Sequence, residues 1–180
     1  RRQRQMCIRD RWYTVTGGSR HYVQKMLPTI PHKYLNTPVQ AVTRVTAGSR
    51  QQVRVVSAQG EMMYDHVVLA THSDQTLTML QDASDDERAL LSAVRYQSNR
   101  AVLHTDARCL PEREKAWSAW NYESAGPGES SVCVHYLLNK LQPLPVRTPV
   151  IVSLNPLHEA DPSKVIASFD YAHPVFDGPA

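Results

Sequence analysis

The run Asp65-His66-Val67-Val68-Leu69-Ala70-Thr71-His72-Ser73 decides how this chain is read. Val67 to Ala70 is aliphatic throughout, with an acid before it and a polar Thr-His-Ser turn after it. A short continuous apolar run of this kind predicts a strand buried on both faces, as in a parallel α/β sheet. Such sheets bind their ligands at the carboxyl ends of the strands, and Thr71 stands at that end.

Working outward, three β-rich runs precede it: Val39 to Thr46, Gln52 to Ser57 and Glu61 to Tyr64. Tight turns at Ala47-Gly48-Ser49 and Gln59-Gly60 separate them, which predicts a three-stranded antiparallel meander leading into the Val67 run. Further upstream, Trp12 to Thr16 is a strand candidate ending at Gly17-Gly18. Two glycines allow positive φ and close backbone approach. Ser19 is then placed to cap a helix whose Tyr22, Val23, Met26 and Leu27 share one face, and Pro28 closes it. Downstream, Ser73 is placed to cap a helix through Leu77 and Leu80. Ser84-Asp85-Asp86-Glu87 has the capping-box pattern for a second helix, with Leu90, Leu91 and Val94 on its apolar face.

From Asn99 the pattern turns to strands: Asn99 to Thr105, Trp117 to Tyr122, Ser131 to Leu137, Val150 to Leu154 and Val165 to Ala172. Proline and glycine clusters divide them, which predicts a mainly antiparallel sheet. Period-two geometry puts Trp120 and Tyr122 on one face of their strand and Trp117 and Asn121 on the other.

Several of these stretches together resemble a known family. They are Trp12 to Ser19, Pro38-Val39, Asp65 to Gln75, Ala116 to Tyr122 and Val150 to Pro156. The chain resembles the middle of bacterial flavin-containing amine-oxidase-like proteins, a group of NAD/FAD-binding proteins similar to monoamine oxidases and phytoene desaturases. The resemblance implies an α/β (α+β) fold. Residues 1–75 would form part of an FAD-binding Rossmann-like domain, and residues 76–180 an incomplete, mainly antiparallel substrate domain with flanking helices. It implies FAD as cofactor, held near Gly17, Gly18, Val39 (through its backbone) and Thr71, with Trp120 and Tyr122 as substrate-pocket walls. The reaction implied is hydride transfer from a C–N or C–C bond to flavin. Related amine oxidases carry a lysine near the flavin on a strand like Asn99 to His104, where this chain has Arg100. That substitution brings a lipid- or carotenoid-type desaturation forward as an alternative, because an always-charged guanidinium cannot replace an amine in proton transfer. A non-catalytic β-rich binding module keeping the same fold is the reading from another class. No catalytic residue is assigned.

Composition narrows the classes. The 180 residues are 42% hydrophobic, enough for a substantial core, and the balance of 20 basic against 17 acidic residues leaves net +3, too little to indicate nucleic acid. Arg1, Arg2, Arg4, Arg9 and Arg11 read as a solvated segment. Three scattered cysteines suggest neither a disulfide framework nor a zinc motif, which fits a cytoplasmic protein with a small-molecule or lipid-like substrate and no membrane span. Gly-x-Ser-x-Gly is absent, and His104, His135, His158 and His173 become ligands only if the fold gathers them, so no metal is expected. The start at Arg1 and the end at Gly178-Pro179-Ala180 read as those of an internal piece, expected to be inactive and to bind FAD only weakly when expressed alone.

Overall fold

A computed structural model describes residues 13–126 and 132–176, so the arginine-rich start, Trp12, Cys7 and the Gly178-Pro179-Ala180 end lie outside the described residues. The architecture is α+β: a three-stranded antiparallel sheet, a five-stranded sheet and several helices. Its described residues cluster as two compact units, one of 13–31 and 99–171, the other of 32–98 and 172–176. These units interleave along the chain, whereas the sequence suggested one division after residue 75.

In the second unit, β1 (Val39–Ala47), β2 (Arg50–Ser57) and β3 (Gly60–Tyr64) form the expected meander in the order β1-β2-β3. Gly48 and Gly60 take the positive φ values (63° and 113°) that tight hairpin turns demand. The sheet is anchored on α2 (Ser73–Met79) through Val42 and Leu80, which are both buried and form a parallel bridge. α3 (Asp85–Ala93) starts with the capping box seen in the sequence: Glu87 N–H donates to Ser84 Oγ at 3.2 Å, and Ser84 N–H donates to Glu87 Oε2 at 2.9 Å. Arg44 ties the meander to this cap through Glu87 and Asp82. Ser73 itself is the first helical residue of α2, and His72 occupies the cap position.

The Val67 to Ala70 run corrects the sequence reading. It forms no strand and has no ladder partner among the described residues; Val68 is 89% exposed, Ala70 is exposed, and only Val67 and Leu69 are half-buried. An aliphatic run becomes a doubly buried strand only where neighbouring strands satisfy its backbone and cover both faces. Here it is an irregular connection in which Val67 and Leu69 alternate with exposed Val68 and Ala70.

In the first unit, residues 13–15 carry no regular structure where a strand was expected. α1 (Ser19–Met26) is capped by Gly18 rather than by the Ser19 hydroxyl, and its apolar residues Tyr22, Val23 and Met26 are exposed. The five-stranded sheet comprises β4 (Arg95–His104), β5 (Trp120–Ser124), β6 (Val132–Leu137), β7 (Ile151–Leu154) and β8 (Val165–Val175) in the order β5-β6-β7-β4-β8. The β5/β6, β6/β7 and β7/β4 pairs are antiparallel.

Residues directly opposite in antiparallel strands share a face. Pairing Glu123 with Cys133, His135 with Ser153, Ser153 with Val102 and Leu137 with Ile151 puts all of these on one face, with His104 two residues beyond Val102. Leu110, Leu137 and Ile151 form an apolar core there, against which Ala107, Cys109 and Trp117 pack. The other face carries Trp120, Tyr122, Val134, Tyr136, Val152, Leu154, Ala101 and Leu103.

Candidate functional site

A chain of polar side chains crosses the covered face of the five-stranded sheet, one each from β4, β7, β6 and β5. His104 Nδ1 accepts the Asp106 backbone N–H at 3.1 Å, so the neutral ring carries its proton on Nε2 and donates to Ser153 Oγ at 2.7 Å. Ser153 then has its own hydrogen free for His135 Nδ1, also at 2.7 Å, which leaves the His135 proton on Nε2 to be donated to Glu123 Oε2 at 3.0 Å. Glu123 Oε1 contacts His158 Nδ1 at 3.0 Å. His104, His135 and Ser153 are each at most 2% exposed, whereas the His158 side chain is 83% exposed, so the chain runs from the interior to the surface.

Burial, with His135 as a minor contributor, holds the His104 pKa below its ordinary value despite the nearby Asp106 carboxylate. Asp106 is itself buried and far more acidic than an ordinary carboxylate, first because of its hydrogen bonds to Arg108 and then because the Asp161 and Arg108 backbone N–H groups donate to it. Burial pushes the Cys133 and Cys109 thiols up to about 11. A cavity of about 260 Å³ opens beside this chain, lined among others by His104, Ser153, Glu123, His158, Arg108 and Cys109. With every donor paired, the arrangement can hold or relay a proton between the cavity and the surface.

The fold therefore gathers three of the four histidines that looked scattered. Register, a long-range property, does the gathering. The local signal available was Cys133-Val134-His135, an i, i+2 pair that any strand places on one face.

The residues suggested for FAD fall in both units. Gly17 and Gly18, in the first, have φ of 82° and 79°, the left-handed region that favours glycine. A Cβ added at Gly18 would meet nothing within 4 Å, so this turn presents bare backbone with space in front of it. Val39 and Thr71 are in the second unit. Val39 opens β1 opposite Ser57 at a register irregularity, and Thr71 Oγ1 bonds Thr76 Oγ1 at 2.8 Å. Trp120 and Tyr122 are 42% and 76% exposed, and both line an open cavity of about 480 Å³ at the β5 edge. Arg100 is held by Glu159 through two bonds of 2.7 and 3.0 Å. Among the described residues no helix is long and apolar enough to cross a membrane.

No protein family matches the sequence, and no curated protein does. Among solved structures, the fold is similar to that of the CLA-producing fatty acid isomerase from P. acnes. The TM-score is 0.52 at 15% identity, over 86% of this chain and 39% of that one. The likeness is one of fold, and this chain spans well under half of that protein.

Proposed function

We propose that this chain is part of an FAD-dependent oxidoreductase acting on a hydrophobic organic substrate at a C–N or C–C bond. The observation that carries the reading is the apolar face of the five-stranded sheet. Trp120 and Tyr122 lie open to solvent there beside half-buried Tyr136, Val134, Val152 and Leu154, while the opposite face holds the polar chain and its core. An aromatic platform of this kind suits a hydrocarbon chain or an apolar amine, whose binding is driven by removal of apolar surface from water. The fold likeness to a fatty acid isomerase supports a lipid-like substrate. The double pairing of Arg100 with Glu159 leaves no free amine of the amine-oxidase kind at that position and favours the C–C alternative.

FAD rests on the family resemblance and on the Gly17-Gly18 turn, whose positive φ and open front fit a flat cofactor edge. Gly17 and Gly18 would meet the cofactor with their bare backbone. When bound, FAD would supply the hydride-accepting chemistry; the chain's own share is binding, orientation and exclusion of water.

Expression of the chain together with the coding sequence that flanks it, followed by an absorption spectrum of the purified product, tests this. Flavin bands that fade in Gly17→Val are expected, since a β-branched residue is disfavoured at positive φ. A folded, colourless product that takes up no FAD would overturn the reading in favour of a binding module.

A further inference from the structure

Glu123, Cys133 and His135 form a second feature that the proposed flavin chemistry leaves unused. Glu123 stands opposite Cys133 across the β5/β6 pair, and His135 follows on the same face. The Cys133 sulfur is 3.5 Å from His135 Nε2, Glu123 Oε2 is 3.0 Å from the same nitrogen, and the three ligand atoms all lie within 4.8 Å of one another. Zinc bonds of roughly 2.0 Å to nitrogen and oxygen and 2.3 Å to sulfur set tetrahedral ligand atoms about 3.3–3.6 Å apart. The sulfur–nitrogen spacing falls within that range, and the oxygen–nitrogen spacing is a little shorter.

The sulfur is also 3.7 Å from Nδ1, so it lies against the ring face, and coordination requires the Cys133 thiol and the His135 ring to turn toward Glu123.

We propose that Cys133 Sγ, His135 Nε2 and a Glu123 oxygen bind one zinc-class divalent cation, with the fourth position left open toward the cavity. The mixed thiolate, imidazole and carboxylate set selects zinc or cobalt over magnesium or calcium, which prefer all-oxygen shells. Ser153 and His104 form the outer shell. On binding, the Cys133 thiol proton leaves to solvent and the ring proton of His135 moves from Nε2 to Nδ1, where it is donated to Ser153 Oγ. Ser153 then accepts from both histidines, and its own hydrogen turns toward the cavity it lines.

The test is titration of the purified protein with Zn²⁺ against a competing chelator, and with Co²⁺ followed by absorption. One ion per chain is expected, with a thiolate-to-cobalt charge-transfer band and the intense visible bands of tetrahedral cobalt. Cys133→Ala, which leaves the Glu123, His135 and Ser153 hydrogen bonds in place, should abolish the charge-transfer band, whereas Cys109→Ala and Cys7→Ala should keep it. Ser153→Ala should weaken zinc roughly 10–100-fold, the scale of an outer partner. Glu123→Gln, a conservative change, should weaken zinc further than Ser153→Ala does. Absence of a charge-transfer band in the folded wild type, or one that survives Cys133→Ala, would overturn the site.

Discussion

His104 Nε2 lies 2.7 Å from Ser153 Oγ, and because His104 Nδ1 already accepts the Asp106 backbone N–H, this contact belongs to a neutral imidazole. Protonating His104 would put a second hydrogen where that backbone donor points. The folded pKa is therefore depressed below 6.5, chiefly by burial. An unfolded chain binds a proton at a pH where the folded chain still refuses it. Stability should thus fall as pH drops through about 6.5 and level off once the folded His104 titrates. Urea midpoints measured from about pH 8 to about pH 5 should show this acid limb, and His104→Gln should flatten it.

Asp106 works in the opposite part of the scale. Its carboxylate accepts from the Arg108 side chain and from the Arg108 and Asp161 backbones while almost fully buried, so its folded pKa sits below the ordinary 3.8. Its contribution is present above that value and lost as pH falls below it. Asp106→Ala should cost about 1–3 kcal/mol near neutrality, since the part-buried Arg108 and Asp161 donors lose a charged acceptor. Asp106→Asn should cost less, because one carbonyl oxygen remains. Denaturation curves near neutral pH separate the two variants.

The Ser84 cap offers a local test. Its hydroxyl receives Glu87 N–H while the Glu87 carboxylate serves both Ser84 N–H and Arg44. Ser84→Ala should cost about 1 kcal/mol, the usual value of an N-cap. Glu87→Ala should cost more than that, because it removes the return bond and the Arg44 pairing together. Equal losses in equilibrium unfolding would mean that Arg44 contributes nothing.

What the sequence made legible was local. The meander follows from alternation between Gly48 and Gly60 turns, and the capping box from four consecutive residues, because each is decided within a few positions of chain. Val67 to Ala70 was misread because burial on two faces depends on partners, which the run itself does not encode. Glu123, Cys133, His135, Ser153 and His104 went ungrouped for the same reason. Three strand registers bring them together, and a shift of one residue in any of them would send a side chain to the other face.

The aromatic face gives the last prediction. Tyr122 is 76% exposed, so truncating it to alanine should change stability by no more than about 0.5 kcal/mol, as at other surface positions, whereas Trp120, more than half covered, should cost more. If a hydrocarbon chain lies across this face, the same truncations uncover apolar surface in the complex. Covering a large apolar side chain is worth about 1.5–3 kcal/mol when complete. Partial covering at an open platform should still give Trp120→Ala a loss of about tenfold in affinity, the equivalent of 1.4 kcal/mol. Ser153→Ala, on the opposite face of the sheet, should leave that affinity unchanged. Calorimetric titration of the wild type and the three variants with a long-chain fatty acid below its micellar concentration makes the comparison. A loss in Ser153→Ala matched by none in Trp120→Ala or Tyr122→Ala would move the substrate to the cavity beside the histidine chain.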